Sequence, residues 1–324
     1  MTVSTKKSTY VNPIVEQRAD PWVYKHTDGY YYFTGSLPTY DGIELRRAKT
    51  LNGLKEAEPV IVWNKPEIGP ASNLIWAPEI HFIDGNWYIY FAAEGRNEAK
   101  EKTSSHRMFV LENKSKNPLD LTWVEKGQLK TNWESFSLDA TTFEHKGKRY
   151  LVWPQKDEEI AGNSNLYIAE MENAWTIKGQ QTLLTKPEYD WETIGFAVNE
   201  GPAVVIRNQK VFIAYSASAT DHHYCMGLLT ADENANLLDS KSWIKSNDPV
   251  FVTNEDNSKF GPGHNSFTVS EDGKEDVLIY HARSYKEIVG DPLYDPNRHA
   301  CAQVFTWDKG GDPFFGVPVA DSKK

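Results

Sequence analysis

Residues 77–91 read Ala77-Pro-Glu-Ile-His-Phe-Ile-Asp-Gly-Asn-Trp-Tyr-Ile-Tyr-Phe91: an apolar stretch, an Asp-Gly pair and a second stretch rich in aromatic residues. Asp-Gly is favoured between two antiparallel strands, because a type I′ turn needs positive φ at both of its central residues. Apolar and aromatic stretches on either side of such a pair predict a β-hairpin.

The same pattern occurs five times, at intervals of about 60 residues. The other copies are Asp20-Pro-Trp-Val-Tyr…Asp28-Gly29-Tyr-Tyr-Tyr-Phe, Asp139-Ala-Thr-Thr-Phe…Gly147-Lys-Arg-Tyr-Leu-Val-Trp, Glu200-Gly-Pro-Ala-Val…Asn208-Gln-Lys-Val-Phe-Ile-Ala-Tyr and His264-Asn-Ser-Phe…Asp272-Gly273…Val-Leu-Ile-Tyr. Repeated small antiparallel sheets bury both of their faces when they stack radially. We therefore expect an all-β, five-bladed β-propeller that spans residues 1–324 as a single domain without an accessory domain. The tail, Arg298–Val319, is expected to form a closing hairpin.

Each copy begins with a residue that lies about seven or eight positions before the turn. A propeller brings these five residues together around one axis. Three of them are acidic, namely Asp20, Asp139 and Glu200, while Ala77 and His264 complete the ring. An isolated acidic residue before a strand is usually a cap or a solvated turn residue. Three that converge predict a pocket for glycoside hydrolysis, which needs a general acid and a second carboxylate in opposite protonation states.

The charge balance excludes some classes of partner. The formal net charge is −10 and the isoelectric point is about 5.4, which argues against binding to nucleic acid or to an anionic membrane surface. The first residues contain no apolar leader, and no apolar run reaches the length that spans a membrane. We expect a cytoplasmic protein whose partner is a small oligosaccharide.

Six short motifs, in this order and at this spacing, resemble glycoside hydrolase family 43. They are Arg18-Ala-Asp20-Pro21-Trp22, Trp76-Ala-Pro-Glu79, Ser137-Leu-Asp139-Ala140, Asn199-Glu200-Gly201-Pro202, Gly261-Pro-Gly-His264-Asn265 and Tyr280-His-Ala-Arg283. The resemblance covers nearly the whole chain. It implies a five-bladed propeller that cleaves arabinose- or xylose-containing glycans with inversion.

The resemblance also implies roles for the three acidic residues. Asp20 becomes the general base that takes a proton from water, and Glu200 becomes the general acid that protonates the leaving oxygen. Asp139 keeps Glu200 protonated by repulsion between like charges and helps to orient the sugar. Inversion predicts that the carboxyl groups of Asp20 and Glu200 stand roughly 6.5–9.5 Å apart.

Four further residues are candidates for the site. Arg283 resembles the arginine of this family that binds sugar hydroxyls, with a structural salt bridge as the alternative. His264 resembles an axial histidine beside a bound ion or water, which makes it a candidate ligand for Ca²⁺ or a similar structural ion; no other cofactor is expected. Trp76 and Phe196 lie next to pocket positions and are candidates for stacking on sugar rings, although packing between blades is the ordinary role of an aromatic residue in such a fold. The pair His222-His223 is expected to lie in a loop without a ligand role.

The substrate is suggested by the run from Ile288 to His299, followed by Gln303-Val-Phe-Thr-Trp-Asp308. This run most resembles the branch of the family that contains α-L-arabinofuranosidases, some of which release terminal arabinose from 1,5-linked arabinan fragments. An exo-acting, inverting α-L-arabinofuranosidase is therefore expected, with a β-xylosidase as the nearest alternative. A retaining sucrose- or fructan-cleaving enzyme is disfavoured, because its Asn-Asp-Pro-Asn and Glu-Cys-Pro motifs are absent. A non-catalytic glycan-binding propeller is the alternative from another class.

Overall fold

The computed structural model describes residues 10–95 and 105–322. Within them the chain forms five antiparallel sheets of four strands, and in every sheet the strands lie side by side in their order along the chain. The sheets stack around one axis as the blades of a five-bladed β-propeller, which confirms the fold class predicted from the repeat.

The blades follow one another along the chain. Blade 1 contains β1 (Ala19–Lys25), β2 (Tyr31–Ser36), β3 (Gly42–Ala48) and β4 (Val60–Asn64). Blade 2 contains β5 (Asn73–Ile83), β6 (Asn86–Glu94), β7 (Arg107–Asn113) and β8 (Val124–Gln128). Blade 3 contains β9 (Thr141–His145), β10 (Lys148–Gln155), β11 (Asn165–Asn173) and β12 (Thr176–Thr185). Blade 4 contains β13 (Asn199–Arg207), β14 (Lys210–Ala217), β15 (Cys225–Asp232) and β16 (Ile244–Lys245). Blade 5 contains β17 (Phe260–Val269), β18 (Asp276–Arg283), β19 (His299–Trp307) and β20 (Pro313–Phe314).

Helices are short and lie only in connections within the described residues. They are 3-10 helices at Asn52–Leu54, Asp190–Glu192, Ser240–Ser242 and Pro292–Tyr294. In the part of the chain that the structure describes, no helix has the length and apolar character needed to cross a membrane.

The turns between first and second strands explain why the repeat is visible in the sequence. Asp84-Gly85 has φ angles of 49° and 84°, as a type I′ turn requires, and Lys146-Gly147 and Asn208-Gln209 also have positive φ at both positions. In Asp28-Gly29 only the glycine has positive φ. The Asp-Gly pair of blade 1 therefore marks the hairpin correctly, although the connection has a different geometry.

The core fills the five spaces between neighbouring blades. On β2, Tyr31 and Phe33 pack with residues of blade 5, whereas Tyr32 packs with residues of blade 2. Successive side chains of a strand point to opposite faces of its sheet. Because both faces of a blade are covered, the second strands are apolar at successive positions instead of alternating with polar residues.

The ring closes without a shared blade, since blade 1 is built entirely from the start of the chain and blade 5 from its end. The segment before β1 instead pairs with β19: Val15 forms a bridge with Ala300, and Asn12 Nδ2 donates to the Ala302 carbonyl at 2.8 Å. The Ala302 amide donates back to Asn12 Oδ1 at 2.8 Å. The predicted closing hairpin corresponds to β19 and β20, which form the outer half of blade 5.

Candidate active site

Each blade has a bulge near the start of its inner strand, and the bulge holds one residue in the left-handed region. In β13, Glu200 pairs with Ser216 and Ala203 pairs with Ala214, so that two residues oppose one. The same register shift occurs in β1, β5 and β17. The left-handed residues, one from each blade, are Asp20 (φ 53°), Ala77 (46°), Asp139 (47°), Gly201 (53°) and His264 (43°). We call these five residues the axial ring.

Glu200 lies one residue before the axial ring. The repeat in the sequence aligned Glu200 with the other ring residues, which is one position away from the residue that occupies the ring. The fourth member of the ring is Gly201. The carboxyl group of Glu200 still lies close enough to Asp139 for the charge of Asp139 to raise its pKa. The three carboxylates therefore meet, as predicted, but from two strand positions instead of one.

Gly201 has two reasons to be glycine. Its φ of 53° is a conformation that glycine adopts without strain. A Cβ atom at this position would lie 2.9 Å from Cγ of His264, which is closer than the 3.5–4.0 Å typical of carbon contacts. The missing side chain therefore leaves space for the imidazole of His264.

Side chains of the preceding blade accept hydrogen bonds from four of the five amides of the axial ring. The amides and their acceptors are Asp20 N with His281 Nδ1 (3.0 Å), Ala77 N with Ser36 Oγ (2.8 Å), Gly201 N with Asp139 Oδ2 (3.0 Å) and His264 N with Ser216 Oγ (2.7 Å). Buried amides need such partners, because a bulge removes them from the ladder of the sheet. Each of these hydrogen bonds joins two blades, so the same bonds close the ring and position the carboxylates.

Asp20 is held in its ionised form. It is 7% exposed, and burial alone would raise its pKa. His264 Nδ1 lies 3.1 Å and Arg298 Nη1 3.5 Å from Asp20 Oδ1, and Ser36 Oγ donates to Oδ2 at 2.5 Å. The two cationic groups outweigh burial and hold the pKa of Asp20 well below its usual value.

The pKa values of Glu200 and Asp139 are raised, in contrast to that of Asp20. Burial, reinforced by the charge of Asp139, raises the pKa of Glu200 to about 7. Burial also raises the pKa of Asp139 to about 6, against the lowering effect of His264. The Tyr224 hydroxyl donates to Glu200 Oε1 at 2.7 Å. Near pH 6 the site therefore contains an ionised Asp20 and a protonated Glu200.

His264 carries a positive charge in this arrangement. Burial disfavours the charge, but Asp20 and Asp139 raise the pKa of His264 to about 9. Among the described residues His264 belongs to no group of three His, Cys, Asp or Glu ligand atoms that could hold a metal ion. The ion expected at the propeller axis stays a prediction.

The two arginines near the site have different positions. Arg283, the sugar-binding candidate, is 2% exposed and donates to Asp295 Oδ1 at 3.2 Å, to the Thr220 carbonyl at 2.7 Å and to the Pro292 carbonyl at 2.6 Å. Arg283 thus joins the connection after β14 to the connection after β18. This is the role of a structural residue, which was the alternative to sugar binding. Arg298 is the arginine that lies beside Asp20, and its Nε has no partner within the described residues.

The two aromatic candidates differ in exposure. Trp76 on β5 is half-buried, stacks on the ring of His106 with centroids 3.7 Å apart, and has an Nε1 without a partner in the described parts of the chain. Phe196, in the connection from β12 to β13, is 58% exposed. Trp76 also contacts Tyr40 of blade 1, with ring centroids 6.1 Å apart, so only Phe196 presents most of its ring to solvent.

Glu79 is a buried hydrogen-bond partner, as its position on β5 suggests. Its Oε2 lies 2.9 Å from His81 Nε2. Burial raises the pKa of Glu79 well above its usual value and lowers the pKa of His81 to about 3. These shifts favour the neutral form of each group, which makes the contact a hydrogen bond and not an ion pair.

Sequence reasoning missed the residues that precede the third strand of each blade. Tyr224 comes directly before β15, Arg298 before β19 and His106 before β7. Their side chains reach Glu200, Asp20 and Trp76 respectively. A search for polar or aromatic residues at this position of every copy would have found all three.

Three proteins of similar sequence have nearly the same percentage identity to this chain. The "Extracellular exo-alpha-(1->5)-L-arabinofuranosidase" of Streptomyces chartreusis is 53% identical over 89% of this chain and 86% of its own length. "Alpha-L-arabinofuranosidase 43" of Humicola insolens is 53% identical over 96% of this chain and 64% of its own length. A third relative, from Streptomyces avermitilis, is 54% identical and is also matched over 64% of its length. The chain thus spans less than two thirds of two of these relatives.

The cytoplasmic location expected from the sequence is wrong in the light of these relatives. Both Streptomyces proteins are named extracellular enzymes. The expectation depended on the first residues of the chain, which lie outside the described residues.

Two further comparisons concern the fold and the family. The crystal structure of an α-L-arabinofuranosidase from Lactobacillus brevis is 57% identical and superimposes with a TM-score of 0.95 over 97% of this chain and 98% of that one. The family model for glycosyl hydrolases family 43 matches residues 10–313. The carboxylates, the axial ring and all of the strands except the last residue of β20 lie within that range, and the chain belongs to glycosyl hydrolases family 43.

Proposed function

We propose that this protein is an exo-acting α-L-arabinofuranosidase that removes terminal arabinose from 1,5-linked arabino-oligosaccharides with inversion of configuration. The observation that carries the proposal is the pair of opposite protonation states, with Asp20 ionised and Glu200 protonated in one buried site. The choice of arabinose is supported by the names of the relatives from Humicola and Streptomyces.

The reaction is a single displacement. Glu200 donates its proton to the glycosidic oxygen as the bond from that oxygen to the anomeric carbon breaks. Asp20 takes a proton from a water molecule, whose oxygen forms the new bond on the opposite face of the sugar. Glu200 ends as a carboxylate and Asp20 as a carboxylic acid, and exchange with solvent restores both.

The neighbouring charges support this division of roles. His264 and Arg298 stabilise Asp20 as a carboxylate, which keeps it ready to accept a proton. Asp139 adds to the effect of burial on the pKa of Glu200 and accepts a hydrogen bond from the Gly201 amide. Asp139 therefore affects both the proton affinity of Glu200 and the position of the backbone next to Glu200. No step uses a metal ion or cofactor, and we propose that none is required.

The aromatic side chains suggest how a chain end is bound. The half-buried Trp76 would contact the terminal sugar with the exposed part of its ring. The more exposed Phe196 would stack on a sugar on the leaving-group side. Arg298, with a free Nε, replaces Arg283 as the proposed donor to sugar hydroxyls.

The first test replaces Glu200 by Gln. We expect turnover of 1,5-arabinotriose to fall by roughly 10²–10⁴-fold, the usual contribution of a general acid, while the affinity for the trisaccharide is retained. Glu79→Gln is the matched control, because it alters another buried, protonated carboxyl near the axis, and its turnover should stay near that of the wild type. Equal turnover in Glu200→Gln and wild type would refute the assignment of the acid.

Product analysis separates the substrates. Incubation with arabinotriose should release arabinose and arabinobiose, while xylobiose remains intact. Release of xylose with arabinotriose untouched would keep the carboxylates but identify a β-xylosidase. Binding of arabinotriose without hydrolysis of either sugar would indicate a non-catalytic glycan-binding propeller.

A further inference from the structure

The connection between β14 and β15 places three metal-ligating side chains next to one another. Asp221, His222 and His223 each offer one ligand atom, and the three atoms lie within 4.8 Å of one another. All three residues are half-buried. Residues 10–95 and 105–322 contain no second group of this kind.

The spacing is close to that of ligands around one ion. Zn²⁺ binds imidazole nitrogen at about 2.0–2.1 Å and carboxylate oxygen at about 2.0–2.2 Å, so two ligand atoms of a tetrahedral ion lie about 3.4 Å apart. The imidazole rings of His222 and His223 have centroids 3.8 Å apart and are tilted by 39°. A small rotation of these side chains, which are not enclosed by the core, brings the three atoms around one ion.

The backbone of this connection is already held in place. Thr253 Oγ1 donates to the His222 carbonyl at 2.6 Å, and the Tyr224 amide donates to the Asp221 carbonyl at 3.3 Å. The His223 amide donates to Asp221 Oδ1 at 2.8 Å. An ion would therefore bind to a largely preformed loop, and little ordering entropy would be lost on binding.

The contact between Asp221 and His223 brings two ligand atoms together. His223 Nδ1 lies 2.9 Å from Asp221 Oδ1. An ion bound here would take the place of the proton between these two atoms, because metal ligands bind in their deprotonated form. We propose that Asp221, His222 and His223 form a binding site for a divalent transition-metal ion of the zinc class. Imidazole ligands favour such ions over Ca²⁺ and Mg²⁺.

The residue that follows the proposed metal ligands contacts one of the carboxylates. Tyr224 follows His223 and donates to Glu200 at 2.7 Å. Binding of a metal ion at the neighbouring residues can be measured independently of the proposed function.

Titration calorimetry with Zn²⁺ on chelator-treated protein tests the site without any substrate. We expect one Zn²⁺ per chain, and at least a tenfold weaker affinity in the double variant His222→Ala/His223→Ala. His299→Gln is the matched control, because His299 is also half-buried but lies outside the group, and it should bind as the wild type does. Thermal melts without metal verify that the variants are folded.

The outcomes are distinct. Equal affinity in the wild type and the double variant, or no binding by the wild type, would overturn the proposal. Loss of binding in His264→Ala with retention in the double variant would assign the ion to the propeller axis and would also overturn it. Displacement of Zn²⁺ by millimolar Ca²⁺ would contradict the imidazole donor set. If Zn²⁺ binds but no arabinotriose is hydrolysed, the metal site stands and the proposed function fails.

Discussion

The hydroxyl group of Tyr224 sets the proton affinity of the general acid. Its hydrogen bond stabilises the ionised form of Glu200 and so lowers a pKa that burial and Asp139 raise to about 7. Activity should decline as the pH rises through this value, because Glu200 loses the proton it must donate.

Tyr224→Phe removes this hydrogen bond, and the basic limb of the pH profile of kcat/KM should move to higher pH. Tyr215→Phe is the matched control, since it also removes a bond between a buried tyrosine and a glutamate, here Glu192, away from the ring. A profile that is unchanged in Tyr224→Phe, or shifted equally in both variants, would contradict the role of Tyr224.

Arg298 and Arg283 should separate catalysis from stability. Arg298→Gln removes a cation beside Asp20, so the pKa of Asp20 rises and the acidic limb of the pH profile moves to higher pH. Arg283→Gln breaks bonds that join two connections and should lower the melting temperature without moving that limb. A shift of the acidic limb in Arg283→Gln alone would reverse these assignments.

The residues that could be predicted from sequence are those that the repeat marks. Asp20 and Asp139 occupy equivalent bulges, so their convergence followed from the pattern. Tyr224 and Arg298 stand at the ends of connections that differ in length and sequence between blades. Their contacts join residues 24 positions apart in one case and 278 in the other, so their place before a third strand can be found in the repeat, but the partners they contact cannot.

At the scale of the strand, the bulge determines which residues enter the ring. A bulge shifts the register by one residue, and a sequence comparison of the five copies does not contain that shift. This is why Glu200 was aligned with Asp139 although Gly201 is its structural equivalent. The hairpins were predictable because their turns contain recognisable pairs such as Asp84-Gly85. The bulge in β13 has no comparable sequence pattern apart from Gly201.

Gly201→Ala tests the packing of the bulge. The left-handed backbone costs about 1–2 kcal/mol for a residue with a Cβ, and contact with the His264 ring should add to that cost and reduce turnover. Gly29→Ala is the matched control, because Gly29 has a φ of 85° and open space around it. Denaturant unfolding should show a larger loss for Gly201→Ala, and equal losses would contradict the clash with His264.

At the scale of the whole molecule, the ends of the chain secure the ring. Lys259 is fully buried and forms an ion pair with Asp321, and the Ser322 amide donates to the Asn12 carbonyl at 2.9 Å. The C-terminal tail thus contacts both the segment before β1 and the start of β17. These contacts add to the core and to the bond from the Asp20 amide to His281, which also join blade 5 to blade 1.

Asp321→Asn should destabilise the closed ring by about 1–3 kcal/mol, because it leaves the buried charge of Lys259 without its partner. The control is Asp272→Asn, which breaks an exposed pair with Lys274 and should leave the unfolding midpoint unchanged. Urea unfolding measures both, and an equal midpoint for the two variants would show that the tail does not hold the ring.

The axial ring has a consequence for how such a molecule can diversify. One backbone conformation recurs at five places, yet the side chains there are two aspartates, an alanine, a glycine and a histidine. The backbone conformation of the ring is therefore the same in all five blades, whereas the side chains differ from blade to blade. A duplicated blade brings with it a ready-made place for a functional group, and a single codon change at that place alters the reaction centre while the architecture is inherited intact.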